Sequence, residues 1–417
     1  MNAANSEKND WQNIRAQFPG LKRTINGKPL VYLDSANTAQ KFESAILASD
    51  RYYREYTANV FRSVHTMGEE ATVAFEAARD SVAKLIHAPD RAEIIFTRGT
   101  TESINLVAHS FGSKFIKAGD VILLTELEHH ANIVPWQMLC ERVGASIRVV
   151  PISDDGVLDL ESAERMLTGE VKLFGFTHIS NALGTVNPVQ ELCAMARARG
   201  IPTLIDGSQA APHMQVDVQA LGCDFYVFTG HKVFAPTGTG VLWGKRQWLE
   251  AMPPFLGGGE MIERVSFQGT TYSGIPNKFE AGTPNIAGVI GLGAAIESLL
   301  ALGIAAVAER EQILASYAYA RLIAVDGLTL FGPPLMSPAS ARAPVFSFTV
   351  KNAHAHDLAM LLDQEGIAIR SGQHCAHPLM QRLGVSATAR ASLAFYNTEA
   401  EIDAFIRGIL KAQRILA

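Results

Sequence analysis

Two charged residues stand where apolar runs of the sequence end. Lys232 closes Thr229-Gly230-His231-Lys232 after one such run, and Asp206 closes the run that begins at Pro202. A lysine can hold the aldehyde of pyridoxal phosphate as a Schiff base, and a carboxylate can pair with the protonated pyridine nitrogen and keep the ring an electron sink. Either residue alone would more simply be a solvated strand end. Together they indicate a pyridoxal-phosphate enzyme.

A second group of residues could bind the phosphate of this cofactor. Thr100 and Thr101 follow a predicted strand and open a predicted helix. Free backbone N–H groups and the helix dipole favour an anion at such a position. His231 is a further candidate. Since a Thr-Thr pair is also an ordinary helix N-cap, the pair by itself leaves both interpretations open.

Further polar residues follow neighbouring predicted strands. His129 and His130 come after the run that ends at Thr125, and one imidazole could stack on the pyridine ring. A polar loop is the alternative for this histidine pair. Asn181 and Gln209 follow two later strands and could hydrogen-bond the ring oxygen.

Cys375 lies in a polar loop between a predicted strand and a helix that begins with proline. The flanking His374 and His377 and the nearby helix start can lower a thiol pKa and favour the nucleophilic thiolate. Arg370 and Arg390 can each offer a planar guanidinium to a substrate carboxylate. The three other cysteines are expected to be buried and inert; they are Cys140, Cys193 and Cys223.

Composition excludes several classes of protein. The chain has 417 residues, 48% of them apolar and 18% charged, which is ordinary for a globular protein. A net charge of −5 without basic runs argues against binding nucleic acid or a membrane surface. The four cysteines have neither metal-site nor disulfide spacing. We therefore expect no metal site, a reducing cytoplasmic setting, and small molecules or proteins as partners.

Two segments bear on membrane targeting. Met1 to Asp10 lacks the basic-then-apolar order of a secretory signal. Ile286 to Ala308 is about as long as a membrane span, but it contains four glycines and Glu297. A carboxylate at the centre of a bilayer would cost about 3 kcal/mol, so a buried helix is predicted there.

Seven short apolar runs alternate with helical patterns, which is typical of a mostly parallel sheet covered on both faces. The runs are Glu93 to Thr97, Val121 to Thr125, Ile147 to Ile152, Lys172 to Thr177, Thr203 to Asp206, Phe225 to Thr229 and Gly240 to Trp243. The helical patterns include Glu69 to Ile86, Thr101 to Phe115 and Val189 to Arg199. This order predicts a large α/β domain.

The pattern changes after the apolar helix. A smaller α+β domain is predicted from the helices Ala308 to Ile323 and Glu399 to Ile415 and the strands Val345 to Val350, Ile367 to Ile369 and Ala391 to Phe395, with a loop at 332–344. The predicted division is an N-terminal segment at 1–30, a large domain at 31–295 and a small domain at 296–417 that carries the Cys375 loop.

Six motifs in order resemble the cysteine desulfurases of the SufS type, which belong to the fold type I pyridoxal-phosphate enzymes related to selenocysteine lyases. The resemblance runs from about Leu33 to the C-terminus. The motifs are Thr125 to Gln137 (TELEHHANIVPWQ), Leu204 to Gln209 (LIDGSQ), Thr229 to Lys232 (TGHK), Glu280 to Pro284 (EAGTP), Arg370 to Met380 (RSGQHCAHPLM) and Ala389 to Asn397 (ARASLAFYN).

The resemblance implies a role for each matched residue. Lys232 would be the Schiff-base lysine, Asp206 the pyridinium partner, His129 the stacking ring and Gln209 the contact to the phenolic oxygen. The phosphate would be held by Thr101, Thr229 and His231. In this family a threonine of the EAGTP motif reaches the phosphate of the neighbouring subunit, so Thr283 implies a homodimer.

The resemblance also implies the reaction. L-cysteine would displace Lys232 from the cofactor, Lys232 would take the α-proton, and Cys375 would attack the substrate sulfur and keep it as a persulfide. L-alanine would leave, and the sulfur would pass to an acceptor protein of the SufE or SufU type for iron–sulfur cluster assembly. Two alternatives remain: a selenocysteine lyase, β-lyase or epimerase that does not need Cys375, or a weakly active scaffold for sulfur transfer.

Four positions depart from the family pattern. Many relatives have a histidine where Phe61 stands and another where Gln373 stands, and Asn37 and Phe42 are also unusual. These residues are expected to flank the substrate entrance. The departures leave the cofactor residues intact and bear on substrate preference and on proton delivery to Cys375.

Overall fold

A seven-stranded sheet forms the centre of the computed structural model, which describes residues 10–335 and 342–416. The strands lie in the order Ile94–Thr97, Gly240–Gly244, Phe225–Thr229, Thr203–Asp206, Val171–Thr177, Val121–Thr125 and Ser146–Val150. Gly240–Gly244 runs antiparallel to both of its neighbours, and the other adjacent pairs are parallel. The predicted α/β fold with a mostly parallel sheet is confirmed.

Alternating residues of the inner strands belong to two different apolar cores. Ile205 and Phe228 pack in one core, and Leu204 and Val227 pack in the other. Both faces are buried because helices cover them. These helices include Thr66–Ile86, Thr100–Phe115, Val134–Val143, Leu160–Met166, Val189–Arg197, Val218–Leu221 and Arg246–Ala251. The carboxyl ends of the parallel strands therefore meet at one open edge, where ligands bind in folds of this kind.

A second sheet has four antiparallel strands in the order Leu328–Phe331, Val345–Val350, Thr388–Ser392 and Arg370–Gly372. Its pairing places Arg370 opposite Arg390. The helices Ile304–Leu322, Ala355–Gln364 and Glu399–Leu416 contribute to its apolar core. The strands Leu328–Phe331 and Arg370–Gly372 were not predicted.

Two predicted strands need correction. The strand placed at Ala391 to Phe395 lies at Thr388–Ser392. Its pairing with Val345–Val350 ends at Ser392, and the apolar residues that follow are buried in the core outside any strand. The strand Ile367–Ala368 lies outside the four-stranded sheet and pairs in parallel with Val31–Tyr32.

The apolar segment predicted as one helix forms parts of two. Ile286–Leu302 ends at Gly303, whose φ is 82°, and Ile304–Leu322 continues at an angle of 76°. Among the described residues no single helix is long and apolar enough to span a membrane; this pair passes that test only as a bent unit. Gly293 allows close packing, since a Cβ there would lie 2.8 Å from the Cα of Ala78.

Shorter elements complete the described part of the chain. They are the helices Trp11–Ala16, Glu43–Glu55 and His377–Arg382, the strand pairs Thr24–Ile25 with Lys28–Pro29 and Ile262–Ser266 with Gly269–Tyr272, and the 3₁₀ turns Pro19–Lys22, Arg91–Glu93, His130–Asn132, Gly230–Lys232 and Asn277–Phe279.

The division at 295/296 stays a prediction, and the helix Ile286–Leu302 runs across it. Residues 1–9, which carry most of the stretch judged to lack a secretory signal, lie outside the described residues, as do 336–341 of the predicted loop.

Candidate active site

A cavity of about 700 Å³ lies at the carboxyl edge of the central sheet. It brings together most of the side chains that the sequence singled out. They are Thr100, Thr101, His129, Asn181, Asp206, Gln209, Thr229, His231, Lys232, Arg370 and Cys375. Arg390 and Thr283 are not among the lining residues. The roles assigned to these residues remain predictions.

Lys232 ends a tight turn that follows the strand Phe225–Thr229. The turn requires Gly230, because a Cβ there would lie 2.0 Å from Thr239 Oγ1. Within the described residues, Lys232 Nζ has no hydrogen bond or ion pair. Burial lowers the pKa of Lys232 to about 8, although the nearby Asp206 carboxylate raises it. The amine is therefore partly neutral near neutral pH and can act as a nucleophile or a base.

Asp206 and Gln209 offer complementary polar groups to a ring. The buried Asp206 carboxylate accepts a hydrogen bond from the Ser208 N–H at 2.9 Å. Gln209 Nε2 donates to the Ala36 carbonyl at 2.7 Å, whereas its buried Oε1 has no partner among the described residues. A buried oxygen without a donor is costly, so Oε1 is suited to a ligand hydroxyl. The amine, the carboxylate and this oxygen fit pyridoxal phosphate.

His129 presents a neutral ring to the cavity. Its Nδ1 accepts the Ala131 N–H at 3.0 Å. Burial, together with the positive charge of Lys232, lowers the pKa of His129 to about 4. An uncharged imidazole can stack on an aromatic cofactor without placing a second cation beside Lys232.

Glu128 holds the turn between Thr125 and Asn132 in place, and it was not identified from the sequence. Its buried carboxylate accepts hydrogen bonds from Thr125 Oγ1 at 2.5 Å, Asn132 Nδ2 at 2.7 Å and the Thr177 N–H at 3.0 Å. The Glu128 carboxylate thus joins the ends of two strands at the position directly before His129. No local pattern marked Glu128, because one of its partners, Thr177, lies 49 residues away in the sequence.

The start of the helix Thr100–Phe115 forms the other end of the cavity. Thr100 Oγ1 and Ser208 Oγ are 2.7 Å apart, and Ser208 also had no role assigned from the sequence. The backbones at Gly99 and Gly240 pass close together here. A Cβ on Gly240 would lie only 2.4 Å from the Cα of Gly99. Burial lowers the pKa of His231 to about 4, so a neutral ring lines this end.

The Cys375 thiol is half-buried in the cavity wall beside Arg370. Arg370 Nη2 lies 3.5 Å from Cys375 Sγ, and Nη1 donates to Asn37 Oδ1 at 2.6 Å. The guanidinium therefore lies in direct contact with the sulfur. Arg390 lies deeper and is fully buried, donating to the Asn181 carbonyl at 2.8 Å and pairing with Asp34 at 3.2 Å.

The departures from the family pattern lie in different surroundings. Asn37 lines the cavity. Phe42 does not flank the entrance as expected: it is fully buried, its ring centroid 4.5 Å from that of Phe18, because the apolar core encloses it. Phe61 packs edge-on against Phe75 and is not among the lining residues. Gln373 is half-buried in the Cys375 loop.

The remaining cysteines lie away from this chemistry. As expected, Cys140, Cys193 and Cys223 are buried. Burial raises the pKa of all three thiols. They are therefore poor nucleophiles beside Cys375.

We expect the free energy of unfolding to fall as the pH is lowered from 7 to 5. Burial lowers the pKa of His178 to about 4 and that of His374 to about 3, whereas a histidine in an unfolded chain has a pKa of about 6.5. Below about pH 6.5 the unfolded chain thus binds protons that the folded chain does not. Each histidine then costs up to about 1.4 kcal/mol of stability per pH unit.

Urea unfolding at pH 7, 6 and 5 measures this loss. His178→Gln, which removes the ring paired with Tyr226 at 3.0 Å, should make the dependence shallower by one proton. The exposed His356 provides the matched control, and His356→Gln should leave the slope unchanged. An equal slope in His178→Gln and the unmutated protein would contradict the expectation.

Comparisons with known proteins show the family of this chain. The aminotransferase class-V family model matches residues 31–405. A protein of Xylella fastidiosa (strain 9a5c) named "probable cysteine desulfurase" is 54% identical over 98% of this chain and 96% of its own length. A cysteine desulfurase of Salmonella agona (strain SL483) is 49% identical over 97% and 98%. The structure resembles the cysteine desulfurase CsdA of Escherichia coli with a TM-score of 0.91 and 39% identity, covering 98% of this chain and 100% of that one.

Proposed function

The chain belongs to the aminotransferase class-V family, and from that premise we propose that its cavity converts L-cysteine to L-alanine while Cys375 takes up the sulfur. The protein is a pyridoxal-phosphate-dependent cysteine desulfurase. We assign the cofactor chemistry to Lys232 and the uptake of sulfur to Cys375 because both residues line the same cavity. Pyridoxal phosphate, when bound, supplies an aldehyde for amines and a ring that accepts electrons from the α-carbon.

Each end of the cavity suits one part of the cofactor. Asp206 would keep the ring nitrogen protonated, His129 would cover the ring face, and Gln209 Oε1 would accept from the ring hydroxyl. At the helix start, hydroxyls, backbone N–H groups and a neutral imidazole would hold the phosphate. The residues proposed to contact the phosphate all line the cavity; they are Thr100, Thr101, Ser208, Thr229 and His231.

The proposed reaction uses three side chains on the substrate. Arg370 binds the carboxylate of cysteine, and neutral Lys232 takes the α-proton. The Cys375 thiolate then attacks the substrate sulfur. A bond forms between the two sulfurs, the carbon–sulfur bond breaks, and its electron pair stays with the substrate. The carbon that carried the sulfur gains a proton, Lys232 returns a proton to the α-carbon, and the product leaves as L-alanine. Arg390 assists by holding Asn181 in the wall of the cavity.

The sulfur on Cys375 is proposed to leave on an acceptor protein of the SufE or SufU type, for iron–sulfur cluster assembly in the cytoplasm. The half-buried thiol, with the exposed His377 and Pro378 beside it, leaves an approach for the thiol of a partner. A persulfide is passed on by attack of such a thiolate on its outer sulfur.

A homodimer is the proposed assembly. Thr283 lies in a separate cavity of about 350 Å³ that also contains Arg98 and Glu102, and not among the residues lining the cofactor cavity of its own chain. Its Oγ1 accepts a hydrogen bond from Asn59 Nδ2 at 3.4 Å, and its O–H is proposed to donate to a group of the neighbouring subunit. The fully exposed apolar side chains of Val64 and Phe267 also suit a subunit contact.

Turnover of L-cysteine tests the proposed function. With pyridoxal phosphate and dithiothreitol present, equal amounts of L-alanine and sulfide are expected. Without a reductant, sulfide should fall short of alanine, because sulfur remains on the protein. Absence of alanine formation from L-cysteine, combined with turnover of L-selenocysteine, would favour a selenocysteine lyase.

A further inference from the structure

The backbone that carries the Cys375 thiol has a rarely occupied conformation. His374 and Cys375 both have positive φ, at 54° and 57°. Two successive side-chain-bearing residues in the left-handed region persist only where their surroundings hold them. Asn181 Nδ2 holds the first of them, donating to the His374 carbonyl at 2.8 Å. A second residue holds the backbone of Cys375 itself and the segment that follows it.

That residue is His130, which reaches the loop with both its backbone and its ring. The His130 N–H donates to the Cys375 carbonyl at 2.8 Å. His130 Nε2 accepts the His377 N–H at 3.0 Å and lies 2.8 Å from His377 Nδ1, with the two rings stacked at 4.6 Å between centroids. One residue thus bonds to the chain at Cys375 and again two residues later.

The bond to His377 also completes a helix start. The helix His377–Arg382 has no side-chain hydrogen bond at its N-cap, Ala376, and Pro378 has no N–H. The imidazole of His130 therefore caps this helix from a different part of the chain. Nε2 must be unprotonated to accept, and burial together with His377 lowers the pKa of His130, which favours the neutral ring.

We propose that His130 is a positioning residue that holds the Cys375 loop in place for sulfur uptake, an inference that rests on the proposed function. His130 follows His129 directly, so the turn that places a ring in the cofactor cavity also fixes the loop that bears the thiol. Loss of the imidazole frees the helix start at His377, so that only the backbone bond to the Cys375 carbonyl still joins this turn to the loop. Substrate binding at Arg370 is retained, and the attack on sulfur slows.

The test compares His130→Ala with His130→Gln in the cofactor-loaded protein. Gln Oε1 reaches about as far as Nε2 and can accept the His377 N–H. His130→Ala should lower kcat for L-cysteine by at least about tenfold with KM within about twofold, because small displacements of reacting groups slow chemistry strongly. Hydrogen exchange of the peptide 373–382 should become faster, and His130→Gln should restore both values. His356→Ala, at an exposed histidine, should change neither.

Unchanged exchange in His130→Ala would overturn the proposal, as would equal loss of kcat in the Ala and Gln variants. His130→Asn, whose oxygen is too short to reach His377, replaces His130→Ala if that variant does not fold, and the same outcomes apply. Hydrogen exchange is measured without substrate. It therefore tests whether His130 holds the Cys375 loop even if the unmutated protein fails to desulfurate cysteine.

Discussion

Lys232→Ala is expected to lower kcat for L-cysteine by about a thousandfold, within the range that a positioned acid–base group contributes. The variant loses the only lysine amine that lines the cavity within the described residues. Initial rates of alanine formation measure the effect. Lys351→Ala, at an exposed lysine, is the matched control and should retain full activity.

The attachment site offers an independent measurement. Borohydride reduction of the unmutated protein should leave the mass of the cofactor on the peptide that contains Lys232. Lys41 is the nearest competitor by chemistry, because burial also lowers its pKa to about 8. Its amine is already bonded to the carbonyls of Ala39 and His231. A label on Lys41 or on any other lysine would refute the assignment.

Cys375→Ser is expected to reduce alanine release from L-cysteine by at least about a hundredfold. A serine hydroxyl is a weak nucleophile at neutral pH, whereas a thiolate is a strong one. Cofactor binding and the absorbance change on adding cysteine should persist, because Lys232 and Arg370 are unchanged. Selenium leaves carbon more readily than sulfur does, so cleavage of L-selenocysteine should survive in this variant.

Mass spectrometry gives the complementary result. After treatment of the unmutated protein with L-cysteine in the absence of an acceptor, one extra sulfur should be found on the Cys375 peptide. None should be found on the peptides of Cys140, Cys193 and Cys223, whose thiols are buried. Alanine release by Cys375→Ser at the unmutated rate would exclude the persulfide route and favour a lyase.

Local patterns were sufficient to predict the central sheet and most of the residues at its carboxyl edge, although not Glu128 and Ser208. Each of these strands is a short apolar run, and Asp206 and Lys232 stand directly at or after the end of a run. Because parallel strands end at a common edge, residues distant in sequence could be predicted to meet there.

Contacts between distant segments could not be predicted in this way. The pairing of Arg370 with Arg390 depends on strand register, and the strand Thr388–Ser392 is rich in small and polar residues that resemble a loop. The contact of His130 with His377 joins two loops that no local pattern connects. Phe42 appeared to be an entrance residue because only the tertiary packing shows its aromatic neighbours.

The parallel pairing of Val31–Tyr32 with Ile367–Ala368 sets an order for biosynthesis. The ribosome releases the first of these strands long before it makes the second, since synthesis is slow compared with local folding. The ion pair of Asp34 with Arg390 likewise cannot form until Arg390 has been made. The nascent chain can therefore form the central sheet with Lys232 in place, but it cannot close the substrate side of the cavity. A complete active site therefore arises only after Arg390 has left the ribosome.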